Sequence, residues 1–222
     1  MIQKETLQFL KEIQVNNNRP WFEENKHRYL AAKENLEVFT EVVKAALMQD
    51  DIIEKTKLYR IYRDVRFSKN KSPYKSHLGG FFRRAGAERR GGYYFSIQPA
   101  NETFIGGGFY SPSKEDLFRI RKEFEADGNT IREIINDPNF VATYGELLGN
   151  GVKTAPKGFD KEHPNIDLIR KKQFYALRKF SDQEVLAKDF VDQTIDSYRT
   201  IRPFFDYMSD VLTTNLNGES II

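Results

Sequence analysis

From Arg63 to Arg84 the chain reads RDVRFSKNKSPYKSHLGGFFRR, with Lys69, Lys71, Lys75 and His77 set around Pro73. Proline fixes one backbone angle and serine hydroxyls favour local turns, so such a segment can bring its lysines toward one point. Convergent Lys and Arg with Ser, Tyr and backbone N–H groups are what binding a phosphate or carboxylate requires. Arg63, Arg66, Lys71 and Lys75 are the expected holders of the anion. Ser68 and Tyr74 add hydroxyls, and Tyr74 would orient the ligand. Asp64 sits between two arginines as an internal partner, and His77 with Asp64 is a pair able to move a proton. The plain alternative is a solvated basic loop. The interleaved acid, and the aromatic Phe67 and Tyr74, favour a site.

A second polar cluster is PKGFDKEHP, Pro156 to Pro164, where Lys157 adds a cation and Asp160 with His163 offers a base and its orienting partner, or two metal ligands. Three histidines and no cysteine leave little from which to build a metal centre, so none is expected, and no cofactor is indicated. Around Trp21, in NNNRPWFEENKHRY, Asn25 and Lys26 can form a polar rim, while Trp21 and Phe22 read as hydrophobic anchors. Gly106-Gly107-Gly108 lacks the GK[ST] and helix that follow in a phosphate loop. It reads instead as a bulge or as a place where a backbone or ligand comes close, with Gly107 beside the ligand. No G-x-S-x-G, H-E-x-x-H or dinucleotide fingerprint is present.

Charge supports an anion. The net charge is +3, yet Lys57 to Arg90 contains eleven Lys/Arg against Asp64 and Glu88, which leaves +9 there and −6 on the remainder. Such a block makes a local field that gathers anions. With 39% hydrophobic and 30% charged residues, the 222-residue chain belongs with globular proteins and not with disordered ones. The absence of cysteine, and an N-terminus without the layout of a signal peptide, suit a cytoplasmic protein. No stretch approaches the ~20 apolar residues of a membrane span.

The elements that must position these residues can be traced in order. Leu7, Leu10 and Ile13 keep helical spacing, and the three asparagines 16–18 break it. Pro20 then opens a helix from about Trp21 to Met48, with the buried stripe Tyr29, Leu36, Phe39, Val43, Leu47. Tyr59, Ile61, Val65 and Phe67 alternate as a strand, with Arg63 on their side. A hairpin follows, Tyr93–Gln98 turning through Pro-Ala-Asn-Glu into Thr103–Tyr110. Ser113 with Asp116 caps a further helix, and shorter helices run to Tyr144. Residues 149–164 form a loop, a short helix covers 166–171, and 173–180 reads as a strand. Ser181 with Glu184 opens the last helix, whose stripe is Val191, Ile195, Tyr198, Phe205, Met208, Leu212, with a kink at Pro203. The expectation is one α+β domain over residues 1–222, an antiparallel or mixed sheet around a central hairpin, packed by long N- and C-terminal helices.

Taken together, NRPWFEENKHRY, RDVRFSKNKSPYKSHLGGFF, GGGFYSP and PKGFDKEHP resemble the bacterial conserved-hypothetical family known as domain of unknown function 2461, from about Leu7 to Arg178. The resemblance implies a single domain with no established activity. Its motif positions include Asn25, Lys26, Arg63, Asp64, Lys71, Lys75, His77, Gly107, Asp160 and His163, the residues reached above from charge and turn chemistry, and suggest one shared pocket. The expected function is a pocket for a small phosphorylated or carboxylated ligand, with proton transfer by His77 or His163 and Asp64 or Asp160. The alternative is a nucleic-acid module using the Lys57–Arg90 segment, with Phe67, Tyr74, Phe81 and Phe82 stacking on bases. A third reading is self-association of the acidic remainder with the basic loop.

Overall fold

The computed structural model describes residues 1–215 and 218–222. Five antiparallel strands form one sheet in sequence order: β1 (Ile53–Leu58), β2 (Leu78–Arg84), β3 (Gly92–Ile97), β4 (Thr103–Phe109) and β5 (Phe174–Phe180). The described chain divides into two compact units. The first comprises Met1–Phe82, Tyr94–Ile105 and Lys179–Asp196; the second comprises Arg83–Tyr93, Gly106–Arg178 and Ser197–Ile222.

In the first unit, α1 (Lys4–Val15) packs on α3 (Lys26–Leu47). The whole apolar stripe of α3 is buried, and Phe39 lies edge-on to Phe95 of β3 at 5.4 Å and stacks on Phe190 at 5.6 Å. Each such side chain contributes about 1.5–3 kcal/mol by leaving water. The helix expected from Trp21 to Met48 is two helices, α2 (Arg19–Glu24) and α3. The break falls at Asn25, whose side-chain amide donates to the Trp21 carbonyl at 2.9 Å and whose Oδ1 accepts from Arg28 at 3.1 Å. Side chains that bond nearby backbone in this way compete with helix continuation. Asn18 caps α2, accepting from the Trp21 N–H at 3.0 Å.

The strand expected over Tyr59–Phe67 lies earlier, as β1, and residues 59–77 are irregular apart from one antiparallel bridge, Tyr62 with Tyr74. Apolar alternation misled here because it was not matched to burial: Ile61 is fully buried, whereas Phe67 is 96% exposed.

In the second unit, α4 (Lys114–Ala126) is capped by Ser113, which accepts from the Asp116 N–H at 3.0 Å, and packs on α7 (Ile166–Ile169). Helices α5 (Asn129–Ile135) and α6 (Pro138–Tyr144) lie between them in the chain. The Ser181–Glu184 capping box is reciprocal, as expected, but it opens only the short α8 (Asp182–Leu186). Ala187 is extended, and a separate α9 (Phe190–Thr213) follows, with Pro203 inside it. The C-terminal stretch of α9 packs its aromatic residues against the sheet, Phe205 lying 5.1 Å from Tyr93 of β3.

Candidate functional site

The irregular segment 59–77 holds a single antiparallel bridge, Tyr62 with Tyr74, and individual side chains add to what positions it. Phe22 of α2 stacks on Tyr74 with ring centroids 4.0 Å apart, and Tyr62 meets Phe22 edge-on at 5.6 Å. Asn17 grips the backbone of Tyr74 from both sides: its Oδ1 accepts from the Tyr74 N–H and its Nδ2 donates to the Tyr74 carbonyl, each at 3.0 Å. The Arg63 N–H donates to the Pro73 carbonyl at 2.9 Å, and the Lys75 N–H to the Ile61 carbonyl at 2.8 Å. Two short extended pieces, 61–63 and 73–75, are thereby zipped together beside α2.

Beside this zipper lies an open cleft of ≈ 620 Å³, lined by Gln14, Asn17, Arg63, Asp64, Asn70, Ser72, Tyr74, Lys75, Ser76 and His77. The Lys75 Nζ donates to the Arg60 carbonyl at 3.0 Å and rests 5.4 Å from the centre of the Tyr59 ring. Burial, followed by the charges of Arg60 and Arg63, lowers its pKa below the ordinary lysine value. His77 is lowered as well, first by burial and then by Lys75 and Arg63. Burial raises the Tyr74 phenol. Burial and neighbouring cations thus disfavour the charged forms of Lys75 and His77 in one recess, an arrangement that a bound anion would relieve.

Asp64 does not offset them. Its carboxylate takes a bidentate pair from Arg66, at 3.0 Å from Nε and 2.6 Å from Nη2, and these hydrogen bonds hold it below the usual carboxylate range. The other end of the basic block is neutralised internally: the buried Arg84 pairs with Asp206, Arg89 with Glu88, and Arg90 with Asp116 at 2.6 Å. Among the described residues, Arg60, Arg63, Lys69, Lys71 and Lys75 have no carboxylate within ion-pair distance. The requirement that a buried arginine find a carboxylate is met by Arg84 in the second unit, while Arg63 in the first unit has none.

Taken as a whole, the chain matches the model of the conserved hypothetical protein family DUF2461 over residues 5–207. The chain belongs to that family. No curated protein and no solved structure matches it.

In this DUF2461 member the residues singled out from sequence fall into three groups. Arg63, Asp64, Tyr74, Lys75 and His77 line the cleft together. Arg66, Ser68 and Lys71 belong to the same loop without lining it: Lys71 donates to the Val65 carbonyl at 3.0 Å, and Ser68 through its N–H to the same carbonyl at 3.3 Å. Asn25 and Lys26, also in the first unit, do not line the cleft either: Asn25 is occupied at the α2–α3 junction, and Lys26 is exposed, 3.5 Å from Glu23.

The third group lies in the second unit. Asp160 accepts from the Glu162 N–H at 3.0 Å, and the His163 Nδ1 from the Asn165 N–H at 3.1 Å, both turn-forming bonds. Lys157 is exposed. Gly107 lies inside β4, where a Cβ would meet the Gly92 carbonyl oxygen at 2.3 Å and the Phe205 ring at 2.8 Å. Close approach is thus the role of this glycine, and the approaching groups are protein. Among the described residues, no three His, Asp or Glu side chains are grouped as a metal ion requires.

Sequence reasoning missed Gln14, Asn17, Asn70, Ser72 and Ser76 as lining residues. The last three lie within SKNKSPYKSH and were overshadowed by its lysines. Asn17 was read only as part of a helix break, and the sequence holds no signal that its amide would reach a residue 57 positions away.

Proposed function

We propose that this DUF2461 protein binds a small phosphorylated or carboxylated molecule in the cleft of the first unit. Arg63 and Lys75 hold the anion, Tyr74 shapes the wall behind it, and His77, favoured in its neutral form, takes up or returns a proton. The observation that carries the reading is the Arg63 guanidinium: half-buried, without a carboxylate, and beside two further groups whose charged forms are disfavoured. Arg66 and Lys71, at the mouth of the same loop, add long-range attraction.

Thermal unfolding in rising concentrations of inorganic phosphate tests this directly. A saturable rise in Tm is expected in the parent protein and in Arg66→Ala. Arg63→Ala and Lys75→Gln should each weaken the apparent affinity about 10- to 100-fold, the scale of one charge-assisted hydrogen bond. Parent-like affinity in the Arg63→Ala/Lys75→Gln double variant would remove the proposal.

One observation favours a second reading. Phe67 is 96% exposed and stands among Arg66, Lys69 and Lys71, as an aromatic residue that stacks on single-stranded bases would. Tyr74 and Phe82 are buried and offer no such surface. Fluorescence anisotropy with a labelled oligonucleotide across a salt series separates the two. Binding that weakens steeply with salt and is lost in Phe67→Ala supports the nucleic-acid module; no binding at low salt removes it.

A further inference from the structure

We propose that Lys75 is an imine-forming lysine, and that the cleft takes a 2-oxo carboxylic acid whose carboxylate rests on Arg63 and whose ketone carbon meets the Lys75 Nζ. This rests on the anion-binding reading above and narrows it to one ligand class. Four features of Lys75 and its surroundings bear on it. Lys75 is half-buried and held at two points, by the Arg60 carbonyl at 3.0 Å and by the Tyr59 ring at 5.4 Å. An amine in fixed position loses less freedom on attacking a carbonyl than one on a mobile surface chain. No carboxylate pairs with it among the described residues, so its proton is not locked in an ion pair. Burial, and then the charges of Arg60 and Arg63, disfavour the ammonium form, the means by which a desolvated lysine beside other cations becomes a better nucleophile. His77, two residues along the chain and lining the same cleft, is neutral enough to accept the proton that Lys75 must shed.

The step balances without any further reagent. The Lys75 ammonium gives one proton to His77, and the freed amine lone pair forms the N–C bond as the C=O π pair moves to oxygen. The carbinolamine hydroxyl leaves as water, taking protons from His77 and from nitrogen. The sum is ammonium plus ketone to iminium plus water, with one positive charge on each side. The Arg63 guanidinium binds the carboxylate through two parallel N–H donors and orients the ketone.

Reductive trapping of the full chain with pyruvate and cyanoborohydride, followed by peptide mapping, tests the assignment. Lys69, on the same loop, exposed and also without an ion pair, is the internal reference. The expected result is a carboxyethyl adduct at Lys75, saturable in pyruvate and several-fold above that at Lys69, since the lowered pKa of Lys75 leaves more of it as free amine than in an ordinary lysine. Arg63→Ala should lower the adduct at Lys75 to the level of Lys69, and Lys75→Arg should lose it. Adducts spread evenly over exposed lysines, with phosphate still raising Tm, would overturn the imine and leave the anion site standing. A Lys75 adduct undiminished in Arg63→Ala would overturn the carboxylate seat. Absence of both adduct and any anion-induced rise in Tm would remove this inference and the reading beneath it. The mapping uses unaltered protein, so it does not depend on a variant folding.

Discussion

His77 carries the clearest pH signature at the residue scale. Burial, then Lys75 and Arg63, hold its imidazole below the ordinary value of 6.5. The unfolded chain therefore gains a proton near pH 6.5 that the folded chain refuses until lower pH. Stability contributed by neutral His77 is present above that value, falls as pH drops through it, and levels off once the folded imidazole also protonates. A bound anion reverses the preference by favouring imidazolium. Sulfate keeps its charge between about pH 5 and 8, so its affinity should rise as pH falls, by at most about tenfold per pH unit, and His77→Gln should flatten the profile. Calorimetric titrations at several pH values read this; a pH-independent affinity in the parent protein would show that His77 does not face the anion.

Asn17 makes a complementary residue-scale test. Asn17→Ala removes two hydrogen bonds to the Tyr74 backbone and should cost about 1–3 kcal/mol in urea unfolding while weakening phosphate binding, although Asn17 carries no charge. A variant with lost stability but parent-like affinity would show that the zipper does not set the cleft. At this scale the sequence was informative about residue type and poor on reach. Arg63, Lys75 and His77 announce themselves by charge and spacing. Which cations would be neutralised was hidden, because the carboxylates of Asp206 and Asp116 arrive from distant helices.

The hairpin shows how far local rules extend at the element scale. Alternation and a Pro-Ala-Asn-Glu turn were enough to place β3 and β4. The turn nevertheless puts Ala100 at φ 66° and Asn101 at φ 62°, the left-handed region where alanine is strained by about 1–2 kcal/mol. Asp182 at the start of α8 compensates, accepting from the Ala100 N–H at 3.1 Å and the Asn101 N–H at 2.9 Å, while its own N–H donates to the Asn101 side chain at 2.8 Å. Ala100→Gly should therefore raise stability by roughly 1 kcal/mol, and Asp182→Ala should lower it by a similar amount or more, both read from chemical denaturation. No gain in Ala100→Gly would mean that the Asp182 contacts already remove the strain. Helix termini with capping boxes were legible for the same reason as the hairpin: the deciding contacts span three residues. The Asn25 break and the misplaced strand at 59–67 were not, because they turn on side-chain bonds and burial that periodicity does not contain.

At the scale of the whole molecule, the sheet with its N- and C-terminal helices emerged from sequence, whereas the distribution of charge between two compact units did not. Within the basic block, Arg84, Arg89 and Arg90 of the second unit are paired with carboxylates, and the cations of residues 60–75 are mostly left without them. Four of the five strands and α9 each contribute residues to both units. We propose that the chain accordingly unfolds as one domain. Fluorescence of Trp21, the single tryptophan and a reporter of the first unit, should change at the same urea concentration as far-ultraviolet circular dichroism, which reports all helices. Separate midpoints would show two folding domains.

That the cleft exists to hold an anion is tested most directly by following backbone and arginine side-chain N–H resonances during a phosphate titration. Saturable shifts should appear at Asn17, Arg63 and Tyr74 to His77, with Lys157 and its neighbours unmoved. Weak, non-saturating shifts spread over every exposed lysine and arginine would contradict it and leave the basic segment a solvated surface.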